Sequence, residues 1–161
     1  MQGHHRAQYQ LGTLYLKGEG VLQDYEKAMT LFQSCKESVD RALVVIGLMY
    51  LRGHGFFLPN EREVFRYIKL AADKHYVDGE YYLGKCYFEG IGVEKDITTA
   101  MIYFRRAADQ GHMGGLWMHN KISIDAVYIH RRMDCVEVVV IETKKYLSCI
   151  DEVKIIILYN K

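Results

Sequence analysis

Apolar side chains recur through most of the chain at intervals of three and four residues, the spacing that places them on one face of an α-helix. In the first segment with this spacing, the shared face is formed by Ala7, Leu11, Tyr15 and Gly18. After a polar interval, a second segment carries an apolar stripe of Ala28, Leu31, Phe32 and Cys35. We predict two antiparallel helices, called helix A and helix B below, with a core between their apolar faces.

The helix pair recurs at an interval of about 36 residues. The end of helix A reads LGTLYLKGEG at 11–20, IGLMYLRGHG at 46–55 and LGKCYFEGIG at 83–92. A unit of this kind buries its apolar face only by stacking on its neighbours. We therefore predict an all-α, right-handed superhelix, a solenoid, over residues 3–115. Its three units are approximately 3–38 (unit 1), 39–75 (unit 2) and 76–111 (unit 3).

Glycines and short polar residues mark the helix ends. The paired glycines after each helix A supply the positive φ that satisfies the last carbonyl groups, and they are Gly18 and Gly20, Gly53 and Gly55, Gly90 and Gly92. The predicted N-caps of helix B are Asp24, Asn60 and Asp96, and Asn60 with Glu63 has the spacing of a capping box. Within helix A, Gly12 lacks a side chain, so we expect helix B to approach it closely.

The pattern changes after Gly115. In the register of unit 3, the fourth helix A has Trp117, His119 and Asn120 where the Leu-Gly pair and its neighbours would stand. Further on, 136–140 has the composition of a strand, whereas Leu147, Ile150, Val153 and Ile157 fit an amphipathic helix. We expect residues 116–161 to form a degenerate fourth helix and an irregular C-terminal tail, either an end cap or an unrelated segment.

Composition excludes several classes of protein. Half of the residues are hydrophobic and 25% are charged, which is typical of a folded chain, and a net charge of +1 gives no reason to expect nucleic acid as a partner. The longest apolar runs are too short to span a bilayer, and the N-terminus has no signal-like apolar stretch. The four cysteines form no CxxC motif. We expect a cytoplasmic protein with reduced thiols and no membrane insertion.

The candidate chemistry is sparse. The GxG sequences follow helices and lack the third glycine of a dinucleotide-binding loop. No His or Cys pair has metal-ligand spacing, and no set of residues stands out as nucleophile and base. We therefore predict no catalytic residue, no metal ligand and no cofactor.

Unit 3 resembles the Sel-one-like repeats, relatives of the tetratricopeptide repeats. The residues that carry the resemblance are Leu83-Gly84, Tyr87, Gly90-x-Gly92-Val93, Asp96, Ala100 and Ala107-Ala108-x-x-Gly111. The resemblance implies a non-catalytic adaptor that binds partner proteins. Two alternatives come from other relatives: a β-lactam hydrolase, in which each repeat has two paired cysteines, and a lumenal adaptor of membrane-protein degradation, which would have a signal peptide and a transmembrane helix.

The resemblance also assigns a binding groove. Superposition on the tetratricopeptide signature places the concave face at the helix A positions beside the buried stripe. The predicted partner-binding residues are Tyr9, Thr13, Lys17, Val44, Leu48, Arg52, Tyr81, Lys85 and Glu89, with Arg6, Leu16, Arg41, Leu51, Asp78 and Phe88 alongside them. A structural interpretation is also open, since some of these side chains could pack against the neighbouring unit. The functional interpretation is a groove for an extended or helical peptide with apolar anchors.

Overall fold

A computed structural model describes residues 2–54 and 59–133, with side chains described between 4 and 124 outside the gap. The chain divides into two compact units, Met1–Asp125 and Ala126–Lys161, and only residues 126–133 of the second are described. The described residues form helices and no strand: α1 Gln2–Lys17, α2 Tyr25–Cys35, α3 Asp40–Arg52, α4 Glu61–Asp73, α5 Val77–Glu89, α6 Ile97–Asp109 and α7 Met113–Met133. The all-α helical repeat solenoid is confirmed. The strand and helix considered for the tail lie outside the described residues.

Each helix A packs on the helix B that follows it. The pairs are α1 with α2, α3 with α4, and α5 with α6, and the units join because α4 also packs on α5. The helices A of units 2 and 3, α3 and α5, contact each other directly. The core runs through these junctions, with Phe32, Ile46, Ile68, Leu83 and Phe104 among its fully buried side chains.

The glycine of the Leu-Gly pair brings the two helices of a unit together. A Cβ built on Gly12 would lie 2.9 Å from the Phe32 ring, and one on Gly84 would lie 2.8 Å from the Phe104 ring. Such contacts are shorter than van der Waals packing allows, so a larger residue at either position would displace the ring. The close approach predicted for helix B is confirmed.

The predicted helix ends are confirmed where they are described. Gly53 and Gly90 adopt φ of 63° and 81° and close α3 and α5 in the left-handed conformation. Asp24 Oδ1 accepts a hydrogen bond from the Lys27 N–H at 2.9 Å, and Asn60 and Asp96 cap α4 and α6 in the same way. Gly55 lies outside the described residues.

The capping box at α4 forms only in part. Asn60 Oδ1 accepts from the Glu63 N–H at 3.3 Å, as expected. The Glu63 carboxylate does not return the bond, because Arg66 donates to its Oε2 at 2.6 Å. The Asn60 N–H donates instead to the Tyr50 carbonyl at the end of α3. This N–H is therefore satisfied by a carbonyl of helix A.

The predicted core face of α1 is wrong in part. Ala7 is exposed and Leu11 is 41% exposed, whereas its counterpart Leu83 is 1% exposed. α5 packs on α4 of the preceding unit as well as on α6, whereas the main contact of α1 is with α2. The expectation treated the stripe as core within a unit, but burial of its leucine also depends on contact with the neighbouring unit.

Small residues set the distance between units. A Cβ on Gly79 would lie 2.7 Å from the Ala71 carbonyl carbon, so α5 packs against the backbone of α4. Thirty-six residues on, a Cβ on Gly115 would lie 3.0 Å from the Ala107 Cβ, so α7 meets α6 in the same register. α7 therefore occupies the helix A position of a fourth unit. His119, at the position of Leu83, is half-buried.

Candidate partner-binding surface

The nine predicted binding residues lie on α1, α3 and α5, three on each helix. Lys17, Arg52 and Glu89 are exposed, whereas Tyr9, Thr13, Leu48, Tyr81 and Lys85 are half-buried. Val44 is only 4% exposed and belongs to the central core cluster. Its inclusion in the groove is corrected, because a side chain packed on all sides offers nothing to a partner.

The two tyrosines among these residues contribute to packing. Tyr9 lies with its ring centroid 5.5 Å from that of Phe32, and Tyr81 lies 5.9 Å from the equivalent Phe104. Tyr81 also stacks on His112 at 4.3 Å. The structural interpretation therefore applies to both tyrosines, which remain half-buried.

Two of the predicted residues, Leu48 and Lys85, meet in one depression between α3, α4 and α5. The space in which the centre of a water molecule could move is about 20 Å³. We call this depression the notch, and its lining residues are Leu48, Leu51, Val64, Ile68, Tyr82, Lys85, Cys86 and Ile91. Lys85 is the one charged member of this lining.

The notch has a buried floor and a charged edge. Burial raises the pKa of the Cys86 thiol to about 12, and the negative charge of Glu89 adds to that effect. At the edge, Lys85 Nζ lies 3.6 Å from Glu89 Oε1, one helical turn away, and the Lys85 side chain is 34% exposed. An ion pair this long and this accessible to solvent is weak, so the ammonium group remains available to another anion.

A polar network crosses three consecutive units beside Tyr81. Arg41 Nε donates to the Tyr76 hydroxyl at 3.0 Å, and this hydroxyl donates to Asp78 Oδ2 at 2.9 Å. His112 Nδ1 accepts from the Gly115 N–H, so the proton of the neutral ring lies on Nε2, 3.6 Å from Asp78 Oδ1. The network joins α3, α5 and the start of α7. Arg41 and Asp78, which we placed along the groove, are thus engaged within the protein.

Charge interactions in this network act on its ionisable groups. The hydrogen bond with Tyr76 raises the pKa of Arg41. Burial raises the pKa of the Tyr76 phenol, a shift that the Asp78 carboxylate reinforces and Arg41 opposes. The network therefore favours a charged guanidinium group and a neutral phenol at neutral pH, the state in which each donor has its acceptor.

A buried carboxylate was missed by the sequence analysis. Glu80 is 2% exposed, and its Oε2 accepts a hydrogen bond from Gln110 Nε2. His75 Nδ1 lies 3.6 Å from the other carboxylate oxygen. In the repeat register, units 2 and 4 have Leu43 and Leu116 at this position. A charge at a position that is apolar in two other units was the available signal.

The described histidines, cysteines and carboxylates are distributed as follows. No group of three or more His, Cys, Asp or Glu side chains in residues 2–54 and 59–133 could hold a metal ion. Cys35 and Cys86 are free and buried, and burial raises the pKa of both thiols. Among the described helices, none has the length and apolar character needed to cross a membrane.

The chain is similar to longer proteins of eukaryotes. It is 31% identical over 100 residues to the ERAD-associated E3 ubiquitin-protein ligase component HRD3B of Arabidopsis thaliana, an alignment covering 62% of this chain and 16% of the relative. It is 35% identical over 75 residues to chitin synthase regulatory factor 2 of Schizosaccharomyces pombe, with 47% and 15% covered. The chain thus spans about one sixth of the length of these relatives.

Solved structures and a family model agree with the repeat. A protective antigen of uropathogenic Escherichia coli with an SLR fold matches with a TM-score of 0.68 and 32% identity, over 82% of this chain and 27% of the other. A Sel1 repeat protein from Oxalobacter formigenes matches with a TM-score of 0.65 and 31% identity, over 74% and 90%. The Sel1 repeat model matches residues 5–34, 41–76 and 77–112, more than half of the sequence. The chain therefore belongs to the Sel1 repeat family.

Proposed function

We propose that this chain is a non-catalytic protein-interaction module, an adaptor that binds a partner protein along the concave, helix A side of its repeats. The observation that carries the proposal is the surface formed by α3 and α5. There the half-buried Leu48 and Lys85 line one depression, and Arg52 is exposed nearby in sequence. Apolar anchors flanked by charges are the usual source of binding energy in protein interfaces.

The names of the relatives support the same reading. One is a component of a ubiquitin-protein ligase and another is a regulatory factor, and both names describe proteins that act with others. The proposal for this chain includes a cytoplasmic location and partners that are proteins or peptides rather than nucleic acid. The predicted binding residues retained in it are Tyr9, Thr13, Lys17, Leu48, Arg52, Tyr81, Lys85 and Glu89.

Site-specific photo-crosslinking tests which side of the repeats meets a partner. A benzophenone amino acid is placed at Lys17 or Arg52 on helix A, or at the exposed Lys69 on helix B, and the full chain is incubated with extract of its source organism. We expect discrete adducts with other proteins from the helix A positions. Adducts from Lys69 alone would contradict the proposal.

A pair of double variants then measures the contribution of the surface. Arg52→Glu with Lys85→Glu should weaken binding of the crosslinked partner at least tenfold, because both changes replace a positive charge on helix A with a negative one. The matched control is Lys69→Glu with Arg105→Ala on helix B, which should change binding less than twofold. Circular dichroism checks that helicity is unchanged. If only the control pair weakens binding, the partner uses the convex side.

A further inference from the structure

We propose that the notch between α3, α4 and α5 is an anchor subsite, which takes one aliphatic side chain of a partner segment that has a carboxylate close to that side chain. The inference rests on the proposed function and specifies the chemistry of its partner. Three observations carry it: the lining of the notch, its size and the charge at its edge.

The lining selects an apolar group. α4 supplies the floor through Val64 and Ile68, which are 2% and 1% exposed, and Leu51 stands at the side with 39% of its surface exposed. Burying the exposed part of Leu51 under a partner side chain removes apolar area from water on both molecules. A polar group placed there would lose hydrogen bonds to water, and the five aliphatic residues of the lining, Leu48, Leu51, Val64, Ile68 and Ile91, would supply none in return.

The size selects a single small side chain. A volume of about 20 Å³ for the centre of a water-sized sphere is little more than the minimum that holds one water molecule. The end of a Val, Leu or Ile side chain fits such a space. An aromatic ring would require α3 and α5 to separate, which their direct contact opposes.

The charge at the edge of the notch determines which partner residue is favoured next to the bound aliphatic side chain. Lys85 lines the notch, and the exposed Arg52 directly follows Leu51 in sequence. Glu89 is the carboxylate that contacts Lys85, and it lies 3.6 Å away. A partner side chain in the notch therefore places its flanking residue near a positive charge that is only weakly compensated, so a carboxylate is favoured and a lysine or arginine is repelled.

Selection from a random peptide library tests this chemistry without a known ligand. The full chain is immobilised and panned with phage that display random 12-residue peptides, and the enriched peptides are synthesised for affinity measurement. We expect a consensus with Val, Leu or Ile within three residues of Asp or Glu. Replacing the aliphatic residue with Ser, or the acid with Lys, should weaken binding at least tenfold.

Two matched pairs of variants locate the site. Lys85→Glu should weaken the enriched peptides at least tenfold, and Leu51→Phe, whose larger side chain would obstruct the opening of the notch from its side, at least fivefold. The controls are Lys69→Glu and Leu70→Phe on α4; Leu70 is 42% exposed, close to the 39% of Leu51. Both controls should change the affinity less than twofold. Circular dichroism and the unfolding midpoint of each variant confirm that all four fold.

The outcomes separate this inference from the proposed function. Two results would overturn the inference about the notch but leave the proposed function in place. In the first, the peptides lose affinity with Arg52→Glu but show no aliphatic and acidic consensus. In the second, they bind the Lys85→Glu and Leu51→Phe variants normally. Peptides that bind through Lys69 or Leu70 alone, or a library that yields no binder at all, would overturn both. Loss with Lys85→Glu and Leu51→Phe but not with the controls supports both.

Discussion

Units 1 and 3 carry the same motif in different surroundings. Leu11-Gly12 and Leu83-Gly84 begin the same ten-residue pattern, and both glycines allow a phenylalanine of helix B to approach closely. Leu11 is nevertheless 41% exposed and Leu83 only 1%. Within a unit the motif specifies the contact of helix A with helix B, but burial of the leucine depends on the helix B of the preceding unit. An identical residue therefore contributes differently to stability in the two units.

Shortening Leu11 and Leu83 to alanine should give the largest difference in the free energy of unfolding between units 1 and 3. Leu83→Ala is expected to cost about 3–4 kcal/mol in the free energy of unfolding, because it leaves a cavity at the junction of α4 and α5. Leu11→Ala should cost less than about 1 kcal/mol, since water already reaches that side chain. Urea unfolding followed by circular dichroism measures both. Equal losses would show that Leu11 is covered in solution.

The second glycine of the loop between helix A and helix B also differs in its surroundings between units 1 and 3. Gly20 and Gly92 have φ of 73° and 66°, so both positions disfavour a side chain. A Cβ on Gly92 would overlap the Glu61 carbonyl oxygen, whereas nothing lies within 4 Å of one on Gly20. We expect Gly92→Ala to cost about 2–3 kcal/mol and Gly20→Ala about 1 kcal/mol, measured as above. A smaller loss at Gly92 than at Gly20 would contradict the packing of this loop on α4.

At Glu80, replacing the buried carboxylate should destabilise the fold less than removing Gln110, the residue that donates a hydrogen bond to it. Gln110→Ala should destabilise the fold by about 1–2 kcal/mol, because it takes the hydrogen-bond donor from a buried carboxylate. Glu80→Leu should change stability by less than about 1 kcal/mol, because units 2 and 4 have leucine at that position. Thermal unfolding of the two single variants and of the double variant separates these effects. If Glu80→Leu is the more damaging change, the carboxylate has a further partner.

Removing the N-caps Asp24 and Asp96 should give the smallest difference in stability between units 1 and 3, because the side chain of each cap bonds to its own helix. The hydrogen bond from the Lys27 backbone lowers the pKa of Asp24, and the Thr99 hydroxyl and backbone N–H lower that of Asp96. A lowered pKa in the folded state means that the stability is present above the unfolded value of 3.8 and is lost as pH falls through the folded value. We expect Asp24→Ala and Asp96→Ala to lower the melting temperature equally at pH 7.

The acid limb of the same experiment provides the control. At a pH below both folded pKa values, each variant should melt at the temperature of the unsubstituted chain, because the aspartates are protonated there. The matched substitution Asp73→Ala, at the end of α4, should leave the melting temperature nearly unchanged at either pH. A persistent difference for one cap at low pH would show that this aspartate also acts through packing.

These comparisons also show what the sequence could predict. Helix limits, caps and the positive φ of Gly90 and Gly92 depend on residues within one unit, and the pattern contains all of them. The burial of Val44, the exposure of Leu11 and the close contact of Gly79 with α4 depend on neighbouring units. A single unit's pattern does not specify those neighbours. The same reason applies to the notch, because three helices from two units build it.

The partner-binding surface was predictable only in outline. Register alone selects Leu48 and Lys85, and the structure brings them into one depression with Leu51. Register could not show that Tyr81 is committed to His112, because that histidine lies in the loop after the next helix B. The charged network from Arg41 to His112 was hidden for the same reason. Sequence periodicity indicates which face is available, and packing between units determines which side chains remain on it.

The open face of α1 has a consequence for how the array loses its structure. α1 packs on α2, whereas α5 has α4 on one side and α6 on the other. In a stack held together by nearest-neighbour interfaces, a helix with fewer interfaces opens more often than the rest. Amide hydrogens of α1 should therefore exchange with deuterium earlier than those of α5 in this chain. Opening of α1 would then precede opening of α5, while the surface shared by α3 and α5 keeps its shape.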